Sequence, residues 1–170
     1  MLSIIHNSKP VIAEVNGVAT AAVCQLVASC DLAYASDSSK FATPGVNIGL
    51  FCSTPMVALS RLVKNKHAME MLLTGDFIQA DKAKSIGLIN NFFKEEYLTK
   101  ETFLIANKIG KKSSLTLKIG KKAFYKQSEM KITDAYKYAS EVMIKNMMEK
   151  DSEEGIKSYI EKRKPNGHNV

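Results

Sequence analysis

The sequence predicts an α/β core with a parallel sheet, followed by a helical C-terminal extension, and three observations predict it. Apolar runs at residues 11–15 and 32–35 flank a segment of helical period, which is the order of a strand–helix–strand unit. Asn16-Gly17, Gly75 and Gly87 fall where turns and helix ends belong. Beyond Phe93 the apolar spacing becomes helical almost throughout.

Each element follows from its residues. Residues 11–15 read as a buried strand and Asn16-Gly17 as a turn. Residues 21–30 read as a helix, because Cys24, Val27 and Ala28 recur three to four apart. Residues 32–35 are the next strand. Residues 41–53 carry two glycines, a proline and alternating apolar positions, and read as a loop with a short strand. Helices are expected at 56–63 and 66–73, with Gly75 as the cap, and at 80–86, stopped by Gly87. Residues 88–93 give the last strand. Helices at 97–109, 115–125 and 133–148 follow, the last with an apolar stripe of Ala135, Tyr138, Ala139 and Val142. Asp151 and Glu154 read as an acidic capping pair for a final helix ending near Arg163, before Pro165.

Composition narrows the function classes. The 170 residues are 45% apolar and 24% charged, enough for a real core in a globular protein. No apolar run reaches the ~20 residues of a membrane span. Met1-Leu-Ser-Ile-Ile has neither the length nor the basic flank of a signal peptide. Cys24, Cys30 and Cys52 lack CxxC spacing, which points to a reducing compartment without a disulfide framework or zinc site. His6, His67 and His168 are dispersed, without ligand spacing, and read as surface residues. Met143, Met147 and Met148 read as interface or core packing.

The net charge of +7 concentrates in residues 94–131, where ten lysines face four glutamates. Lys111, Lys112, Lys118, Lys121 and Lys122 have the chemistry to meet a polyphosphate; a solvated helix face is the plainer reading. Phe124 and Tyr125 lie nearby without any RNP-like motif, so nucleic acid is not the expected partner.

The densest signal is KPVIAEVNGVATAAVCQLVASCD, residues 9–31. A strand feeding a helix start made of small residues presents a bare backbone N–H to a bound oxygen. This block resembles the enoyl-CoA hydratase/isomerase (crotonase) family. So do FATPGVNIGLF, MEMLLTGDFIQADKAKSIGLIN, KAFYKQ and EGIKSYIEKRKP, in the family's order. The resemblance implies a crotonase-like (ClpP/crotonase) fold, with a partial α/β core at residues 1–95. Residues 96–170 would then be the helical extension for trimerisation and coenzyme A contact. It implies a mitochondrial member of fatty-acid metabolism, with acyl-CoA and further copies of the chain as partners, possible trimers included. It implies no cofactor beyond the coenzyme A carried by the substrate.

Matched residue by residue, the resemblance puts the family's oxyanion donor at Ala22. The two hydratase glutamates fall at Gln25 and Gly45. Hydration of an enoyl thioester needs one group to activate water and another to deliver a proton. Gln only exchanges hydrogen bonds and Gly offers only backbone, so the two-carboxylate mechanism is not expected. Asn47 and Cys52 share the second loop and are candidates to face the pocket; Cys52 is a nucleophile in principle and a small buried thiol in the plainer reading. Val23 stands where one subgroup of the family has Gly, which narrows the pocket or tilts the helix start. Lys162 and Lys164 match basic positions that meet coenzyme A phosphates; a basic helix end favoured by the macrodipole is the alternative. Glu14 matches no catalytic position. A carboxylate in an apolar strand is costly unless paired, so Glu14 is expected at the sheet rim or against a lysine.

Family members carry an N-terminal portion with the first strands, an adenine-binding loop and the second oxyanion donor, so this chain is expected to be a piece of a longer protein. Three function readings follow. The first is an acyl-CoA thioester-handling member without two-glutamate hydratase activity. The second is a non-catalytic acyl-CoA-binding or regulatory subunit. The third is an RNA-binding protein using the 94–131 face.

Overall fold

The computed structural model describes residues 1–165, in two compact units. The first comprises Met1–Ile5 and Val11–Ala106; the second comprises His6–Pro10 and the described residues from Asn107 onward.

The first unit opens with a single helical turn, α1 (Leu2–Ile5). Strands β1 (Ile12–Val15) and β2 (Val18–Thr20) lead into α2 (Ala22–Ser29). Strands β3 (Leu32–Ser36) and β4 (Lys40–Ala42) lead through a 3-10 helix (Pro44–Ile48) into α3 (Ser53–Leu62) and α4 (Asn65–Thr74). Then come β5 (Ile78–Gln79), α5 (Ala80–Ser85), β6 (Asn91–Phe93) and α6 (Glu95–Gly110), whose residues through Ala106 belong to this unit.

The expected strand–helix–strand unit is richer than the sequence suggested. Each pass makes two strands at a corner before its helix. One sheet has the order β1-β3-β6, all parallel, with Ala13 beside Ala33 and Ala35 beside Phe92. The other has the order β2-β4-β5, with β2 parallel and β5 antiparallel to β4, and Phe41 central between Ala19 and Ile78. β1 and β2 are each an edge strand of their sheet.

Buried hydroxyls tie the corners between the sheets. Ser39 Oγ donates to the Val15 carbonyl at 2.9 Å and accepts the Gly17 N–H at 3.2 Å. Ser36 Oγ lies 2.7 Å from Ser39 Oγ, and neither serine is exposed at all. Gly17 takes φ 107°, which side chains resist. One core fills the unit, with Val15, Val27, Phe41, Leu59, Leu72 and Leu88 buried together.

One expectation is corrected here, and that for Glu14 holds in its first form, the sheet rim. The last strand begins at Asn91, not at residue 88. The Leu88 and Ile89 amides turn back to the Ala83 carbonyl, although both side chains are buried. Glu14 sits exposed on its strand and accepts from Thr99 Oγ1 at 2.7 Å, a hydroxyl partner and not a lysine.

The second unit contains α7 (Ser114–Gln127), α8 (Ile132–Met147) and α9 (Lys150–Ile160). Ser113 caps α7 by accepting the Thr116 N–H at 3.1 Å. Of the predicted α8 stripe Ala135 is buried, Tyr138 and Val142 are half-buried and Ala139 is exposed. Met143, Met147 and Met148 are exposed, so they are not core residues within this chain. His6 is exposed and His67 half-buried, its ring 3.9 Å from Glu70; His168 lies outside the described residues. The capping pair at Asp151 and Glu154 does not form. Glu149 holds the N-cap position without a side-chain bond. Asp151 instead accepts from Ser113 Oγ, and Glu154 pairs with Arg163 at 2.6 Å.

The corner network generates a direct test. Ser39→Ala leaves buried polar groups of Val15 and Gly17 without their partner, so stability should fall by ~1–3 kcal/mol in chemical denaturation. Ser60→Ala, whose exposed hydroxyl reaches only the Val57 carbonyl of its own helix turn, should stay within about 0.5 kcal/mol. Equal midpoints for the two variants would contradict the role given to Ser39.

Candidate functional site

The site is built where β2 turns into α2. Ala21 sits at φ 46°, ψ −113°, a conformation uncommon for a residue with a Cβ. Its N–H donates to the Ala42 carbonyl at 3.0 Å, and its carbonyl accepts the Gln25 N–H at 3.0 Å. The turn is therefore clamped from both sides, and α2 starts at Ala22. The first amides of a helix have no acceptor within it. Among the described residues the Ala22 amide donates to no acceptor, and Ala22 is exposed. The macrodipole adds partial positive charge at this end. Val23, beside it, is half exposed at 52% and neither buries the amide in the core nor displaces the helix start.

Gln25 follows on the same first turn and is half-buried. Its side-chain amide has no partner among the described residues, while its main-chain carbonyl accepts Ser29 Oγ at 2.8 Å. Cys24 faces the other way, into the core, with no exposure. Burial, and secondarily the neighbouring Cys52, push its thiol from an ordinary 9.0 up to about 12.

Cys52 belongs to the loop that carries Gly45. The first turn of α2 and this loop are thus adjacent, joined by the Ala21–Ala42 bond and the Cys24–Cys52 contact. Thr43 anchors the loop from beneath, donating to the Met71 carbonyl at 2.9 Å. A Cβ at Gly45 would lie 2.5 Å from the Leu50 carbonyl oxygen and 2.9 Å from Cys52 Sγ. The Leu50 N–H also bonds the Gly45 carbonyl at 2.9 Å. The loop leaves no room for a side chain at position 45. Cys52 is a buried free thiol. Asn47 is exposed; its side-chain nitrogen would stand 3.1 Å from a Cβ on Gly75, at the end of α4. A cleft of about 190 Å³ lies at the other end of α2, lined by Val27, Cys30, Leu62, Leu88 and Asn90 among others, and Ala22 does not line it.

Ala22, Gln25, Gly45, Asn47 and Cys52 thus share the first unit. Lys162 and Lys164 belong to the second. There both are exposed, Lys162 at φ 53°, and Arg163 between them binds Glu154 and Glu161 at 2.6 and 2.5 Å. Ala21 and Thr43 escaped the sequence reading. Ala21 carries no signal, since alanine is not one of the residues, Gly, Asn and Asp, that mark a positive φ. Thr43 signals only as a hydroxyl beside a proline.

A sequence profile described as enoyl-CoA hydratase/isomerase matches residues 1–169. The chain belongs to the enoyl-CoA hydratase/isomerase family. It is 59% identical over 156 residues to the mitochondrial enoyl-CoA hydratase domain-containing protein 3 of Xenopus laevis, covering 92% of this chain and 53% of that protein. Against the human protein of that name it is 51% identical, covering 97% of this chain and 54% of the relative. Among solved structures, an enoyl-CoA hydratase of Mycobacterium smegmatis superposes with a TM-score of 0.97 at 48% identity, over 99% of this chain and 65% of that one. The human domain-containing protein 3 gives 0.94 at 51% identity, over 96% and 65%. The fold is therefore crotonase-like. The chain spans about half the length of the curated relatives it matches. The mitochondrial location expected from the resemblance agrees with the names of these relatives.

Two measurements test this geometry. Gly45→Glu should lower stability by ~1–3 kcal/mol without creating hydratase activity, because backbone fills the space its side chain needs. A variant that melts with the parent would show the loop to be open. Cys24 holds its proton more tightly folded than unfolded. Its contribution is therefore intact below about pH 9 and is lost as pH rises toward about 12. The slope from this group should approach ~1.4 kcal/mol per pH unit and disappear in Cys24→Ala.

Proposed function

We propose that the chain is part of an acyl-CoA-handling protein of fatty-acid metabolism that grips the thioester oxygen at the Ala22 amide and does not hydrate by two carboxylates. The unengaged Ala22 N–H at a clamped helix start carries this reading. A single such donor polarises a carbonyl and stabilises the oxyanion or enolate that forms from it, and each donor of this kind is typically worth ~10²–10³ in rate.

The rest of the site says what the chemistry lacks. Gln25 is neutral and keeps its side-chain amide free to bond a ligand oxygen or water. It does not accept a proton at physiological pH. Gly45 is closed off by Leu50 and Cys52. The buried Cys24 thiol stays protonated and is no nucleophile. Lys162 and Lys164 supply point charges suited to coenzyme A phosphates, and assembly into homo-oligomers fits the exposed methionines of α8. The closed loop at Gly45 also favours a second reading, a subunit that binds acyl-CoA without turning it over.

Binding and turnover measured together test both readings. A saturated acyl-CoA should bind saturably. Crotonyl-CoA should not be hydrated above background, and Gln25→Ala should weaken binding about three- to tenfold. Hydration of crotonyl-CoA that vanishes in Gln25→Ala would contradict the account of the acids. Absence of any acyl-CoA binding would remove the site.

A further inference from the structure

The charge of this chain is not spread over it. Seven of its 24 basic residues lie between Glu101 and Glu129 with no acid among them, and the other 17 match the 17 Asp and Glu. The net +7 is therefore the charge of one segment, the C-terminal end of α6, the turn after it and α7.

The second unit displays this charge as a ridge. Lys118, Lys122 and Lys126 recur every four residues on α7, so they stack along one side at steps of about 6 Å. Lys111 and Lys112 precede them in the turn, and all five are exposed. Lys126 rests its ammonium 4.7 Å from the Tyr138 ring centre. Lys121 turns off the ridge to donate to the Lys9 carbonyl at 3.1 Å. Among the described residues Lys111, Lys112, Lys118, Lys122 and Lys126 form no ion pair. Like charges one turn apart repel and destabilise their helix. A ridge that keeps them together without carboxylates is complementary to an anion outside the chain.

The chemistry of the ridge selects among anions. The two arginines of the chain, Arg61 and Arg163, lie elsewhere, so no planar fork is offered to a single phosphate. Phe124 is 64% exposed but stands two residues from both Lys122 and Lys126, hence on the other side of the helix. Tyr125, seven residues after Lys118, is on the lysine side but half-buried, so the ridge has no open platform for stacking bases. Leu115, partly exposed, lies three residues before Lys118 on the lysine side and offers an apolar contact there. Ammonium groups on long flexible stems around an apolar residue suit a plane of phosphate headgroups. No helix of the described residues is long and apolar enough to cross a membrane, so the contact is peripheral.

We propose that the lysine ridge of α7 docks the protein on an anionic phospholipid bilayer. Sedimentation of the full chain with vesicles tests it, using zwitterionic phospholipid alone or mixed with an anionic phospholipid. The protein should sediment with the mixed vesicles only, and less as salt is raised. The triple variant Lys118→Gln, Lys122→Gln, Lys126→Gln should bind roughly a hundredfold more weakly. It should melt within a few degrees of the parent, because the repulsion it loses offsets the Lys126–Tyr138 contact it gives up. Lys64→Gln with Lys66→Gln, exposed in the first unit, should bind as the parent does. Equal sedimentation with both vesicle types, no sedimentation with either, or a triple variant that binds normally would overturn the proposal. So would tighter binding to a single-stranded RNA than to the anionic vesicles.

Discussion

One hydrogen bond, from the Ala21 N–H to the Ala42 carbonyl, decides where α2 begins and which way its first amide points. It holds an alanine at positive φ, a conformation that costs about 1–3 kcal/mol where it persists. The surroundings over-determine it. Ala19 on one side and Cys24 on the other are both fully buried, so the turn between them has few ways to relax. From this clamp follow the outward Ala22 amide, the inward Cys24 and the half-buried Gln25. Without it the chain would leave β2 along another path, and the loop at Gly45 would lose its neighbour.

The clamp also explains why the site reads as a carbonyl binder and not as an acid–base pair. A backbone amide needs no particular side chain, so Ala at position 22 serves as well as Gly. A carboxylate needs both space and a partner. The space at Gly45 is taken by the Leu50 carbonyl and the Cys52 sulfur, and both belong to a loop pinned by Thr43. Position 25 keeps the length of a glutamate side chain but not its charge. On the proposed reading, the site keeps the part of the chemistry that works through geometry and not the part that works through protonation.

Much of this was legible in the sequence, for local reasons. β1, α2 and β3 showed themselves through period and turn residues, and Gly75 and Gly87 take the positive φ their positions suggested. The failures are non-local. β2 has three residues and exists because it pairs with β4, twenty-two positions later in register, so nothing in Val18, Ala19 and Thr20 themselves announces it. Asp151 and Glu154 had the spacing of a cap, but Ser113 and Arg163 reach them first. Glu14 was legible as a rim residue from its charge in an apolar strand, but its partner Thr99, eighty-five positions away, was not. At the site, the sequence showed which side chains had changed. It did not show that the loop had closed behind Gly45, because that depends on a backbone oxygen five residues further on.

The most direct test removes a single atom group. Incorporating lactic acid for Ala22 turns its amide into an ester, with the side chain and chain path kept. The melting temperature should fall by a few degrees, the same as in a Gln25 amide-to-ester variant, since the Ala22 N–H has no partner among the described residues and only the Ala21 carbonyl, a weaker acceptor as an ester, loosens its bond to the Gln25 N–H, while acyl-CoA affinity drops about three- to tenfold. The low-frequency shift of the bound thioester carbonyl stretch should be lost with it. Unchanged affinity with an unchanged carbonyl band would contradict the account, and so would a fall in melting temperature well beyond that of the Gln25 ester, which would reveal an internal partner for the Ala22 amide.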